Sequence, residues 1–312
     1  MTSPATPASG SLGLEQLDVS ASTGRWRDTL RTILRQRNAV VGLFLLGLLV
    51  LAALLADQAP YAPDDVLFGQ ATKQAAPCIH VLGCSTAQQE HVMGTDSNIR
   101  DEFSRVLHGA RVSLFVGFAT VGFAIVVGGL IGLVAGYAGG WLGNVLMRSM
   151  DVLLVFPSLL LAIAIVTALG HSLINAQLAV GVVAIPIYAR IMRGSVLSVK
   201  ENDFVTASRA LGEGVIGLLF RRILPNSMTP LIVAGTLGIG TAVLDVAALS
   251  FLGLGAQPPL AEWGSMIGLE YGRLFTAPHL IFFPGIALTL TVFGFNLLGD
   301  GLRDALDPRL NR

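Results

Sequence analysis

Long apolar runs with almost no charge constrain this chain more than any other feature. They fall at about 39–56, 111–137, 149–169, 174–192, 227–250 and 279–298. Each is close to the ~20 residues that a helix needs to cross a ~30 Å hydrocarbon core. Charged residues make up 13% of the 312 residues and apolar residues 53%, against roughly 25% charged in an ordinary soluble domain. The expected fold class is therefore an all-α integral membrane protein with about six transmembrane helices.

The polar stretches divide the chain into 1–38, a first span at 39–56, a polar segment at 57–104, and a core at 105–312 that contains a second polar segment at 201–225. The first 24 or so residues are rich in Ser, Thr, Pro, Ala and Gly, a disorder-type composition. Arg25, Arg27, Arg31, Arg35 and Arg37 then precede the first apolar run. That run is longer than a signal-peptide core and has no small-residue cleavage site after it, so it reads as a retained anchor. An even number of crossings puts both termini on one side. With the N-terminus inside, fifteen of the twenty Lys and Arg residues fall inside, as the positive-inside rule demands. The segment 57–104 is then outside and 201–225 inside.

Net charge is zero, so bulk charge points to no nucleic-acid partner. The sequence has no Gly-x-x-x-x-Gly-Lys-Ser/Thr loop, no His-Glu-x-x-His and no Gly-x-Ser-x-Gly. The chain thus supplies no nucleotide site of the usual kind, and His108, His171 and His279 stand apart at membrane edges. Neither a catalytic set nor a cofactor site can be assembled, and no standard metal-ligand spacing is present.

Several residues remain as candidates. Phe204, Ala207, Ser208 and Leu211 recur at helical spacing in the inner segment. Gly212 can end that helix, and a second short helix would run to Pro225. Two readings stand, a knob for the groove of a cytoplasmic partner or an amphipathic loop lying on the membrane. Gly128, Gly132, Gly136 and Gly140 lie four residues apart, a small-residue face for close helix packing. Asp245 sits within an apolar run, where a carboxylate is costly and marks a pathway candidate; a vestibule or a local backbone bond would also accommodate it. Asp151 and Asn296 are nearer the inner boundary and read as structural. Cys78 and Cys84 fall on the outer, oxidising side, where a disulfide persists; a metal site with His80 and His91, or free thiols, are the alternatives.

The inner segment resembles the EAA loop of binding-protein-dependent ABC permeases. Glu201, Asp203, Phe204, Ala207, Leu211, Gly212, Arg222 and Pro225 carry that likeness, while Thr206, Ala207 and Ser208 stand where the family has Glu-Ala-Ala. Further likeness to the C-type permease of the dipeptide, oligopeptide and nickel group lies at residues 93–96, 100–101, 109–114, 151–158, 249–264 and 296–308. The resemblance implies a type I ABC importer permease fold in a bacterial inner membrane. It implies half of a translocation pathway for peptides or similar small solutes. A second permease, two ATPase subunits or domains that bind ATP and Mg, and an extracytoplasmic binding protein would complete the machine. The inner residues just named, with Thr206 and Ser208, would couple to the ATPase. Asp245, Gln257, Glu262 and Trp263 would face the pathway or the binding protein. A secondary transporter without ATPase partners is the alternative class; its hallmark, an internal repeat with paired broken helices, is not evident.

Overall fold

Apolar length gives the long helices, and flanking Gly, Pro and polar residues set where they stop. A computed structural model describes Leu34 and residues 36–69, 71–85 and 89–306. The segment expected to be disordered, 1–38, lies almost wholly outside these. In chain order the helices are α1 (Arg37–Leu54), α2 (Glu102–Ala138), α3 (Gly140–Val155), α4 (Ser158–Leu169), α5 (Leu173–Val199), α6 (Asp203–Ala210), α7 (Leu224–Phe251), α8 (Trp263–Glu270) and α9 (His279–Leu306). Among the described residues only two isolated bridges, Cys78 with His91 and Thr95 with Asp101, have β character.

Among the described residues five helical stretches are long and apolar enough to cross a membrane: α1, α2, α5, Val215–Phe251 and α9. The third apolar run differs from the single helix expected at 149–169. It starts earlier, as α3, and turns by 88° into α4. Proline explains the break. Phe156 is extended (φ −84°, ψ 139°) ahead of Pro157, because a proline ring disfavours helical backbone in the residue before it. By itself α4 spans about 18 Å, short of a full crossing, so the expected sixth crossing corresponds to a bent pair rather than a straight helix.

Helix α2 also begins earlier than expected. The carboxylate of Asp101 accepts the Ser104 N–H at 2.8 Å, an N-cap that starts the helix at Glu102 rather than near 111. Its 37 residues extend about 55 Å, so the first turns project beyond any hydrocarbon core.

Glycine lets α2 and α5 approach closely. A Cβ at Gly128 would stand 2.6 Å from the Ile185 carbonyl oxygen, and one at Gly136 would stand 2.8 Å from Val196 Cγ1. Gly132 packs on Ala189 and Met192 in the same way. The small-residue face is therefore spent within this chain. Gly140 is not part of it: with φ +49° it opens α3 after the turn at Gly139. Helix α1 docks on α9 through Gly42, Gly294 and Gly301.

Two ties fix the ends of the bundle. Arg111 of α2 binds Asp57 through two 3.0 Å bonds and the Ala53 carbonyl at 3.2 Å, and burial-free pairing with Arg111 holds the Asp57 carboxyl below its usual range. At the other end Lys200 donates to the Gly136 carbonyl at 3.0 Å. The segment 57–101 and the loop 252–278 thus share one end, the cap. The turn at Gly139, residues 200–223 and the start of α1 share the opposite end.

Candidate functional site

The cap is built on buried, paired charge. The Asp96 carboxylate accepts the backbone N–H groups of Asn98 and Arg100, both at 2.8 Å, and the Arg100 guanidinium at 2.6–2.7 Å. Arg105 lies 3.7 Å from Asp96 and donates to the carbonyls of Pro63 and Pro259 at 2.9 and 3.3 Å. One α2 side chain therefore links both segments of the cap. Glu270 accepts the backbone N–H and the hydroxyl of Ser97 at 3.1 and 2.6 Å and pairs with Arg273 at 2.8 Å. Charges this deeply buried are tolerable only when paired.

Helix α8 is pinned within this cap. The Glu262 carboxylate accepts the N–H groups of Gly264 and Ser265 at 3.0 and 2.9 Å. Burial pushes its carboxyl above the usual range, opposed by those two bonds. Trp263 is fully buried, with its indole against Gly109. Gly264 and Gly268 bring α8 onto the Ala247 and Phe251 backbone of α7. Glu262 and Trp263, expected at a contact surface, are instead 2% and 0% exposed and act as anchors of the cap. Gln257 stays at the surface and donates to the carbonyls of Gly253 and Gly255 at 2.9 and 3.1 Å.

Cys78 and Cys84 are joined by a disulfide with a Cα–Cα distance of 5.4 Å, so neither sulfur is a thiolate ligand. Beside it, Cys78 and His91 exchange backbone bonds of 2.8 and 3.0 Å, and His91 Nδ1 lies 2.9 Å from Asp101. The disulfide loop is thereby fastened to the N-cap of α2.

At the opposite end, α6 and the turn after it form a protruding knob. Gly212 adopts φ +83°. The Glu213 N–H reaches back to the Ser208 carbonyl at 3.1 Å and the Gly212 N–H to Arg209 at 3.0 Å, a left-handed helix end that glycine suits. Arg222 pairs with Glu213 at 3.1 Å and holds the turn closed. The expected common face splits. Ser208 turns inward with Val205, while Phe204, Ala207 and Leu211 turn outward. Thr206, Glu201 and Asp203 are also exposed. The second short helix does not stop at Pro225. It begins at Val215 and runs through a π-helical stretch, Leu218–Ile223, directly into α7. A wide π turn next to a residue without an N–H keeps the chain helical there.

Sequence pattern alone missed part of this knob. Val215, Ile216 and Phe220 are exposed beside Phe204 and Leu211, which is 88% exposed. The available signal was large apolar residues inside an otherwise polar segment. Five such side chains at one end, flanked by Arg209, Arg221 and Arg222, make a surface suited to a protein partner.

Asp245 lies apart from both regions. It is half-buried on α7, and no described residue offers it an ion pair or hydrogen bond. Two positions on, Ala247 is buried under α8. Positions i and i+2 sit about 200° apart around a helix, so Asp245 points away from the cap helix.

Residues 128–312 match the family described as binding-protein-dependent transport system inner membrane component. Residues 24–77, outside the likeness noted above, match the N-terminal TM domain of oligopeptide transport permease C. The chain is 43% identical to the dipeptide transport system permease protein DppC of Alkalihalophilus pseudofirmus, covering 94% of this chain and 93% of that one. It is 42% identical to the glutathione transport system permease protein GsiD of Pectobacterium atrosepticum, over 91% of each. It is 43% identical to the di/tripeptide permease DppC of Pseudomonas aeruginosa, over 88% and 89%. An inward-facing structure of the MetNI methionine ABC transporter superposes with a TM-score of 0.54 at 21% identity, over 65% of this chain and 96% of that one.

Proposed function

The chain belongs to the binding-protein-dependent transport system inner membrane component family, and from that membership we propose a cargo, an orientation and a coupling element for it. As a family member it is a multi-pass inner-membrane permease subunit of an ATP-driven importer, not an enzyme and not a secondary transporter. ATP hydrolysis in such systems lies in separate subunits, and a further permease subunit completes the pathway.

The proposed cargo is a short peptide of two or three residues. Relatives more than 40% identical along nearly their whole length are named for dipeptides, di- and tripeptides and glutathione. The proposed orientation puts both termini and residues 200–223 in the cytoplasm and the cap outside, following the distribution of basic residues. A substrate-loaded binding protein would meet the cap at 57–104 and 252–278, where Gln257 is exposed. Two ATPase subunits or domains would hold ATP and Mg, and one would receive the knob formed by Glu201, Asp203, Phe204, Thr206, Ala207, Leu211 and Gly212. Ser208, Arg222 and Pro225 would shape that knob from within. Movement there would pass along Val215–Phe251, one continuous helix, to the cap.

The observation that carries this function is the exposed apolar knob continuous with a spanning helix whose far end bears the cap. The test is reconstitution in liposomes with the second permease, the ATPase subunits and the binding protein. Uptake of alanyl-alanine is expected only with all components and ATP. Uptake by this chain without partners would overturn the proposal.

A further inference from the structure

We infer that Asp245 receives the N-terminal ammonium of the peptide as it leaves the cap, making this carboxylate a cargo-reading residue of the pathway. The inference rests on the peptide cargo proposed above.

Asp245 sits on a stripe of α7 that the described residues leave partly open. Thr241 and Leu244 on that stripe are exposed and Ala248 is half-buried, while Val243, Val246 and Ala247 are packed inside. A carboxylate on such a stripe cannot face lipid without a large cost, so the stripe borders a pathway or a partner. The remaining question is which cation meets it.

No described cap residue pairs with it: Arg100 and Arg105 serve Asp96, Arg111 serves Asp57, Arg273 serves Glu270, and Lys73, exposed on the segment after α1, makes no ion pair with it. The cation we assign to it therefore comes from outside the described residues. Asp245 is six residues before the end of α7 at Phe251, or about 9 Å, which places it just below the cap. Cargo released there meets this carboxylate early in its passage. Every short peptide with a free N-terminus carries an ammonium, whatever its side chains. One fixed carboxylate therefore reads a feature shared by all such cargo and leaves side-chain tolerance intact. The rest of the stripe, Thr241, Leu244 and Ala248, is small or apolar and bears no second charge that would trap the peptide.

The test uses the complete importer in proteoliposomes carrying Asp245→Asn or Asp245→Glu. With alanyl-alanine as probe, Asp245→Asn should lower uptake roughly tenfold or more, the usual weight of a lost charge-assisted hydrogen bond. Asp245→Glu should keep most of the rate. Assembly and binding-protein-stimulated ATP hydrolysis should persist in both. In nanodiscs without binding protein, saturation-transfer signals should appear for alanyl-alanine on the unmodified importer and vanish with Asp245→Asn. The des-amino analogue, propanoyl-alanine, should give none. Unchanged uptake with Asp245→Asn would overturn the inference, as would equal signals from the two probes. Failure of Asp245→Asn to assemble with the second permease would also overturn it and assign the cation to that subunit. Failure of the unmodified importer to take up alanyl-alanine would instead sink the peptide cargo itself, so the two failures are distinguishable.

Discussion

The indole Nε1–H of Trp263 donates to the main-chain carbonyl of Val106 at 3.0 Å, joining residues 157 positions apart in the chain. The ring lies flat enough on α2 that a Cβ at Gly109 would come within 2.8 Å of it. This contact clamps α8 to the first turns of α2, and α8 in turn crosses the end of α7. The cap is thus packed against two spanning helices at once.

Trp263→Phe should cost about 1–3 kcal/mol by removing a buried donor, and Gly109→Val should cost about as much through overpacking. The check is thermal unfolding of the assembled importer, together with binding-protein-stimulated ATP hydrolysis. Both variants should lower the midpoint and weaken stimulation more than basal hydrolysis.

Gly132→Leu should separate α2 from α5, since Met192 Cβ lies 2.8 Å from the place a Cβ would occupy. The expected penalty is at least ~1–3 kcal/mol. Gly140→Ala, by contrast, meets no atom within 4 Å and should cost only the strain of its positive φ. Yields of correctly assembled complex should fall for the first variant and stay near normal for the second.

Gly212→Trp should abolish capture of the ATPase subunits while membrane insertion and permease pairing persist. Nothing within 4 Å of Gly212 would meet a Cβ, so the bulky side chain projects from the knob toward the partner. Gly212→Asn tolerates left-handed backbone and should retain capture. Ile216→Asp, which leaves the backbone alone, should also lose it. Normal co-purification and normal stimulated hydrolysis with Gly212→Trp and Ile216→Asp would show that the knob is not the coupling element.

Cys78 and Cys84 should resist thiol reagents on intact cells and become labelled after reduction without permeabilisation of the inner membrane. Labelling that requires permeabilisation would reverse the proposed orientation. Cys78→Ser should loosen the Cys78–His91 bridge and, through the His91 contact with Asp101, the N-cap of α2. Faster proteolysis within 78–91 measures that loosening.

The sequence made some of this plain because the cause is local. A run of some twenty apolar residues is a spanning helix wherever it lies, for its backbone has no other way to satisfy its polar groups in lipid. A glycine that recurs every fourth residue marks a close-packed face, and Gly212 marks a helix end. The break at Pro157 was also local, yet the apolar run hid it, since hydropathy carries no sign of backbone direction. Glu262 and Trp263 show the limit of reading by type. A charged and an aromatic residue in a loop between spans look like contact residues, and only the packing of α8 between α2 and α7 reveals that both face inward. The same holds for Ser208, which helical spacing groups with Phe204 and Leu211 but which turns toward the bundle with Val205.

What the sequence determined by itself is therefore the class of molecule: an all-helical membrane protein, the places of its apolar runs, and the family motifs strung along the chain. Tertiary structure alone decided which polar residues are buried anchors and which are open to a partner. Arg105 reaches Pro63 and Pro259, and Ser97 reaches Glu270, across 42, 154 and 173 residues of chain. Burial of a charge depends on partners brought together from such distances, and one-dimensional spacing holds no record of them. Asp245 illustrates both sides: its cost in an apolar run was legible at once, but only the folded bundle shows that no described residue pairs with it.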